Sequence, residues 1–147
     1  MKKTNKEFSA GSVIFKKEGK EICWLLVKPK GSEKWCFPKA HLNGGESTVM
    51  AAKRGIKEEV GIETQILEKI GVDSCSFYQD KKRIFKTVIF YLMEYLGHTE
   101  EGFDKETVKI VWLPLRKALT RLSFDKEKEL LKEAVDLLKQ LEQQQKN

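Results

Sequence analysis

The chain has 147 residues, 40% of them apolar and 34% charged, with a net charge of +6. That is enough for one domain with a single substantial core and too mixed for a disordered or fibrous protein. No apolar run approaches the roughly 20 residues of a membrane span, "MKKTNKEF" has no apolar stretch behind its charges, and three cysteines without CxxC spacing argue against a disulfide framework or zinc site, which fits a reducing, cytoplasmic setting.

In chain order, "SAGSVIFKK" and "ICWLLVK" are rich in β-branched and large apolar residues and are separated by the turn-like "KEGKE", which predicts a hairpin. "PKGSEKWCF" is a loop punctuated by Pro and Gly. Lys28, Lys30, Lys34 and Lys39 cluster around it with Glu33 opposing them, a segment that would draw a phosphate-rich ligand. From Ser47 to Val60 the apolar residues Val49, Ala52, Ile56 and Val60 recur at the spacing of one buried helical stripe. Ser47 or Thr48 can cap its start, and Gly61 stands where a left-handed C′ residue is wanted.

Strand-like segments follow at Gln65–Ile70, Ser74–Tyr78, Arg83–Leu96 and Val108–Leu113, with "QDKKR" turning the middle pair. Pro114 ends the last of them and "LRKAL" is a short helix. Beyond Asp125, Leu130, Leu131, Ala134, Val135, Leu138 and Leu141 trace an amphipathic helix that covers the sheet. The order predicts an α/β domain over residues 1–147, a mixed sheet between a central and a C-terminal helix, with loose tails at 1–6 and 143–147.

Chemistry concentrates in the central helix. Positions 55, 58 and 59 share one side of it and hold Gly55, Glu58 and Glu59. Two adjacent carboxylates near an apolar stripe repel each other unless a cation neutralises them, and Mg²⁺ takes carboxylate oxygens and substrate phosphates together. A solvated "KEE" face with Arg54 pairing to Glu58 is the plainer alternative. The Gly-rich turn "NGGE", with Gly45, leads into the helix start, where free N–H groups favour anions.

Residues 40–62 resemble the signature of the Nudix hydrolases, G-x5-E-x7-R-E-U-x-E-E-x-G-U, where U is a bulky apolar residue. Glu46, Arg54, Ile56, Glu58, Glu59, Gly61 and Ile62 match, whereas Ala40 stands at the first glycine and Gly55 at a glutamate. The resemblance implies an α/β/α sandwich and a metal-dependent pyrophosphohydrolase using Mg²⁺ or Mn²⁺. It implies metal ligation by Glu58, Glu59, the carbonyl of Lys39 and a further glutamate, Glu106, with Glu100 and Glu101 as substitutes for it. It also implies that Arg54, Glu46 and Gly45 support the box. Because Gly55 replaces a carboxylate that in relatives binds metal or acts as base, and a helical glycine costs about 1 kcal/mol against alanine, local stability gives no reason for it.

"WCFPKAH", "KTVIFYL" and Tyr78 are similar to segments of the asymmetric dinucleoside tetraphosphatases. This implies diadenosine tetraphosphate as substrate, Tyr78 and Phe90 sandwiching a base, and His41, Lys39 and Lys86 on phosphates. The alternatives are a nucleotide-binding module without catalysis and an RNA 5′-end pyrophosphohydrolase; nothing beyond the box signals nucleic acid.

Overall fold

In the computed structural model, which describes residues 5–99 and 108–145, six strands and three helices form a mixed sheet with helices on both faces. The strands are β1 (Asn5–Glu18), β2 (Glu21–Pro29), β3 (Lys39–His41), β4 (Ile62–Gln79), β5 (Lys82–His98) and β6 (Val108–Pro114). The helices are α1 (Thr48–Glu59), α2 (Leu115–Arg121) and α3 (Asp125–Gln145). The main sheet runs β4-β5-β1-β2-β6, and β3 pairs with β1 off this path. Among the described residues β1 and β5 pair in parallel and the other ladders are antiparallel.

The alternation of side chains along each strand splits the core in two. Ala10, Ile14, Leu25, Tyr91 and Met93 meet Ala51, Ala52, Ile56 and Val60 on the α1 face. Val13, Phe15, Trp24, Leu26, Val88, Phe90 and Leu92 meet Ala118, Leu122, Leu130, Leu131, Ala134 and Leu138 on the α2/α3 face. The α/β/α sandwich expected from the order of elements is therefore present. Among the described residues no helix is long and apolar enough to cross a membrane.

Local chemistry sets the boundaries of α1. Ser47 is the cap residue, its hydroxyl accepting from the Met50 N–H at 3.2 Å, and Gly61 at φ +76° donates back to the carbonyls of Ile56 and Lys57. Val49, expected in the buried stripe, is 40% exposed, and Ala51 is buried in its stead. Val49 lies in the first turn, where it is Thr48 that meets the sheet, its hydroxyl 2.6 Å from that of Tyr91 on β5.

Two other expectations change. The segments Gln65–Ile70 and Ser74–Tyr78 are parts of one strand, because register irregularities at Glu63/Thr64, Ile66/Glu68 and Lys69/Gly71 bend the ladder without breaking it. Residues 39–41, to which no element is assigned above, form the short strand β3. Strand β1 begins at Asn5 and α3 runs through Gln145, so regular structure extends into both segments expected to be loose. The turn within "QDKKR" is a two-residue hairpin loop with Asp80 and Lys81 both at positive φ.

Candidate active site

A cleft of about 350 Å³ is lined by Lys39, Ala40, His41, Asn43, Arg54, Gly55, Glu58 and Glu59, where β3 lies against α1. A larger cavity, about 750 Å³, lies on the neighbouring flank of α1 and shares Arg54 and Glu58 with it, but its remaining lining includes Met50, Lys53, Lys57, Glu63 and His98. The smaller cleft holds both adjacent carboxylates and is the better site for phosphate chemistry.

Arg54 organises this cleft. Its Nε and Nη2 donate to the two carboxylate oxygens of Glu46 at 2.8 and 3.0 Å, a bidentate pair. The same Nη2 donates to the His41 carbonyl at 2.7 Å, and Nη1 donates to Glu58 Oε2 at 3.1 Å. Glu46 Oε1 also accepts from the Asn43 N–H at 3.0 Å. One guanidinium thus ties the end of β3, the Gly-rich loop and α1 together. The Arg54 hydrogen bonds, followed by that from Asn43, hold the Glu46 carboxyl below its ordinary range, and Glu46 in turn raises Arg54. Gly45, at φ +78°, makes the left-handed bend that brings Glu46 back towards Arg54.

Glu58 and Glu59 close α1 rather than open it. A negative charge there faces the carbonyl end of the helix, where the dipole disfavours it. Eleven residues at 1.5 Å rise place Glu58 about 16 Å from the cap at Ser47, so the anion-attracting helix start does not serve the cleft. Glu58 is well exposed and paired with Arg54. Glu59 is half-buried, has no hydrogen-bond or ion-pair partner among the described residues, and is pushed up from its ordinary value by burial, against a smaller lowering by the Lys39 charge.

The donor set fits a hard divalent ion of the magnesium kind, which binds through one or two carboxylates and completes its shell with water and substrate phosphate. Among the described residues no cluster of three or more His, Cys, Asp and Glu side chains could hold a metal alone. Glu106, with Glu100 and Glu101, lies outside the described residues.

Of the five expected substrate-binding residues, Lys39 and His41 line this cleft, whereas Tyr78, Lys86 and Phe90 do not. The Lys39 ammonium turns to the opposite face, where it is paired with Glu127 Oε2 at 2.5 Å and donates to the Phe37 carbonyl at 3.1 Å. His41 is exposed, its Nδ1 3.2 Å from the Ser9 hydroxyl. Phe90 is fully buried, edge-on to Phe37 and pressed on Gly11, so it offers no face to a base.

Tyr78 is 69% exposed near the β4–β5 turn with the Arg83 guanidinium 5.9 Å from its ring. It pairs in register with Arg83, an odd position of β5, whereas Phe90 is even. The two rings are therefore on opposite faces and seven strand positions, about 23 Å, apart. They cannot sandwich one base. Lys86 shares the face of Phe90 and lies about 13 Å along β5 from it, opposite Cys75.

Sequence reasoning missed Glu127. It is 3% exposed, and its Oε1 accepts from the Phe37 N–H at 3.0 Å while Oε2 holds Lys39. The signal was present: Glu127, Leu130, Leu131, Ala134 and Leu138 form one helical stripe, with a charge where the pattern asks for an apolar residue.

The family description "NUDIX domain" matches residues 6–135. A Mycobacterium tuberculosis protein provisionally named mutator protein MutT4 is 34% identical over 116 residues, covering 79% of this chain and 47% of its own length. The mouse bis(5′-nucleosyl)-tetraphosphatase [asymmetrical] is 28% identical over 138 residues, covering 88% of this chain and 94% of its own. The chain thus spans about half the length of the mycobacterial relative and nearly all of the mouse one. A crystal structure of a C. elegans Ap4A hydrolase binary complex superposes with a TM-score of 0.67 at 24% identity, covering 90% of this chain and 97% of that one, a likeness of fold.

Proposed function

The chain belongs to the Nudix family, and from that premise we propose that it is a metal-dependent pyrophosphohydrolase of nucleoside polyphosphates, with diadenosine tetraphosphate as substrate. The observation that carries the reading is Glu59, a half-buried carboxylate with no partner among the described residues, beside Glu58 in the cleft that Arg54 builds. A partly desolvated carboxylate with no ion-pair partner among the described residues is what a cation would stabilise.

Mg²⁺ or Mn²⁺ held on Glu58 and Glu59 would supply a Lewis acid for the phosphate and acidify an attacking water. The rest of the work falls to the chain. Arg54 fixes Glu58 on one side and the His41 carbonyl on the other, so the helix end and β3 keep their separation when the polyphosphate enters. With Gly55 contributing no side chain, acceptance of the water's proton falls to Glu58, Glu59 or Glu106. The likeness to the mouse tetraphosphatase and the "WCFPKAH" segment support a dinucleoside polyphosphate. Gly55 favours one second reading, a nucleotide-binding module without turnover.

The test is hydrolysis of diadenosine tetraphosphate, beside ordinary nucleoside triphosphates, with Mg²⁺ or Mn²⁺ present and after chelation. Metal-dependent turnover of the dinucleotide, abolished by Glu59→Gln, is expected. Turnover of triphosphates alone overturns the substrate. Binding without turnover of either leaves the binding module as the better description.

A further inference from the structure

Ala40 and Gly55, the two positions at which the box departs from its pattern, face each other. Alternation along β3 turns Lys39 and His41 to one side and Ala40 to α1, and Gly55 is the buried α1 residue that receives it. A Cβ built on Gly55 falls closer than 3.0 Å to the Ala40 Cβ, with the Ala40 Cα next at 3.7 Å. Such an overlap is not relieved by a rotamer change, since a methyl on Cα moves only with the backbone.

That backbone is held from four directions. Ser9, Ala10 and Gly11 pair with His41, Ala40 and Lys39. The Ser12 N–H donates to the Pro38 carbonyl at 3.0 Å. Lys39 is anchored to Glu127, and the His41 carbonyl to Arg54. β3 therefore cannot withdraw from α1 without breaking its ladder, and α1 is fixed at the other side of the contact by Ala51, Ala52 and Ile56 in the core.

We infer that Ala40 and Gly55 are one steric unit. Gly55 is the socket for the Ala40 methyl, so position 55 is closed to every side chain while Ala40 is present. Ala40 is thus a positioning residue: it sets which carboxylates α1 can present to the cleft, and it leaves Glu58 and Glu59 as the pair. A carboxylate at 55 would lie three and four residues before Glu58 and Glu59, on the same side of the helix. It becomes available only when Ala40 is also reduced to glycine. This consequence for catalysis rests on the pyrophosphohydrolase reading; the steric coupling does not.

The experiment is a double-mutant cycle in two readouts. In the first, Gly55→Ala is made in the parent and in Ala40→Gly, and thermal unfolding is followed without metal. Helix propensity alone makes alanine the better residue at a helical position. The unit predicts that Gly55→Ala lowers the Tm by about 5 °C or more in the parent and raises it in Ala40→Gly. A rise of equal size in both backgrounds overturns the inference, because the two positions would then be independent.

In the second readout, Gly55→Glu, Ala40→Gly and the double variant are compared with the parent for Mn²⁺-dependent hydrolysis of diadenosine tetraphosphate. The double variant is expected to exceed the parent at least tenfold in kcat while Gly55→Glu alone does not. Full gain from Gly55→Glu alone overturns the coupling. If no variant turns over substrate, the hydrolase reading fails, and the inversion of the Tm effect still decides the steric unit.

Discussion

Replacing Glu127 tests whether the buried clamp behind the cleft holds β3 in place. Glu127→Ala removes the acceptor from the buried Phe37 N–H, which costs about 1–3 kcal/mol when a donor is left unsatisfied. It also removes the partner of Lys39, but the Lys39 side chain is 29% exposed and can turn to water, so that loss is nearer ~1 kcal/mol. The sum is about 3 kcal/mol, or a fall in Tm of roughly 10 °C for a domain of this size. Glu127→Gln keeps an acceptor for Phe37 and loses only the charge, for about 1 kcal/mol. Lys39→Met is the harsher change on the other side: it leaves a carboxylate whose side chain is 4% exposed without its counter-ion, for about 3 kcal/mol or more. Urea and thermal unfolding of the three variants and of Lys39→Met/Glu127→Gln give the cycle. The double variant should be more stable than Lys39→Met alone. If Glu127→Ala lies within about 0.5 kcal/mol of the parent, as a surface substitution would, the clamp is not holding anything and the reasoning fails.

Two further predictions concern Glu59 in the cleft and Glu46 behind Arg54. Burial raises Glu59 above its ordinary value, so the folded chain keeps that proton to higher pH than the unfolded chain does, and the associated stability is present below the unfolded value and lost as pH rises through the folded one. Glu59→Gln should therefore flatten the decline in metal-free stability over that window, measured by urea unfolding at several pH values, while lowering metal-dependent hydrolysis by about 10²-fold or more. Glu46 is shifted the other way by Arg54: its contribution is present above the unfolded value and lost as pH falls through the depressed folded one. Arg54→Met should remove that acid limb and loosen the 41–46 loop, seen as faster amide exchange at Asn43 and Glu46. An unchanged acid limb would mean that the bidentate pair contributes nothing in solution.

What could be read from the sequence was what depends on neighbours in the chain. The cap at Ser47, the stop at Gly61, the hairpin turn at Asp80 and Lys81 and the apolar stripe of α3 follow from residues within about a turn of one another. The role of Glu46 and Arg54 was legible only through the resemblance of residues 40–62 to the Nudix signature. The long-range partners were not. β3 has three residues, and nothing in "KAH" says strand until β1 is there to pair with it. The sequence pattern gives Gln65–Ile70 and Ser74–Tyr78 as separate segments, whereas the ladder with β5 carries one strand across residues 71–73.

The largest errors at the site were errors of parity. Tyr78 and Phe90 are both aromatic, both on strands, and near in sequence, yet one residue's difference in register assigns them to opposite faces of the sheet. Periodicity within a single strand fixes alternation but not which face is which; that is decided by what the neighbouring helices cover. Phe90 is even-numbered on β5 and so lies under α3, where Gly11 leaves room for its ring. Ala40 obeys the same rule. On β3 it is the residue between Lys39 and His41, so when Glu127 takes Lys39 on one face, the methyl must enter α1 on the other. Read singly, alanine for glycine and glycine for glutamate are two losses from a motif. Placed across one contact, the first makes the second necessary, because a buried helix face admits only glycine where a strand's Cβ already fills the space.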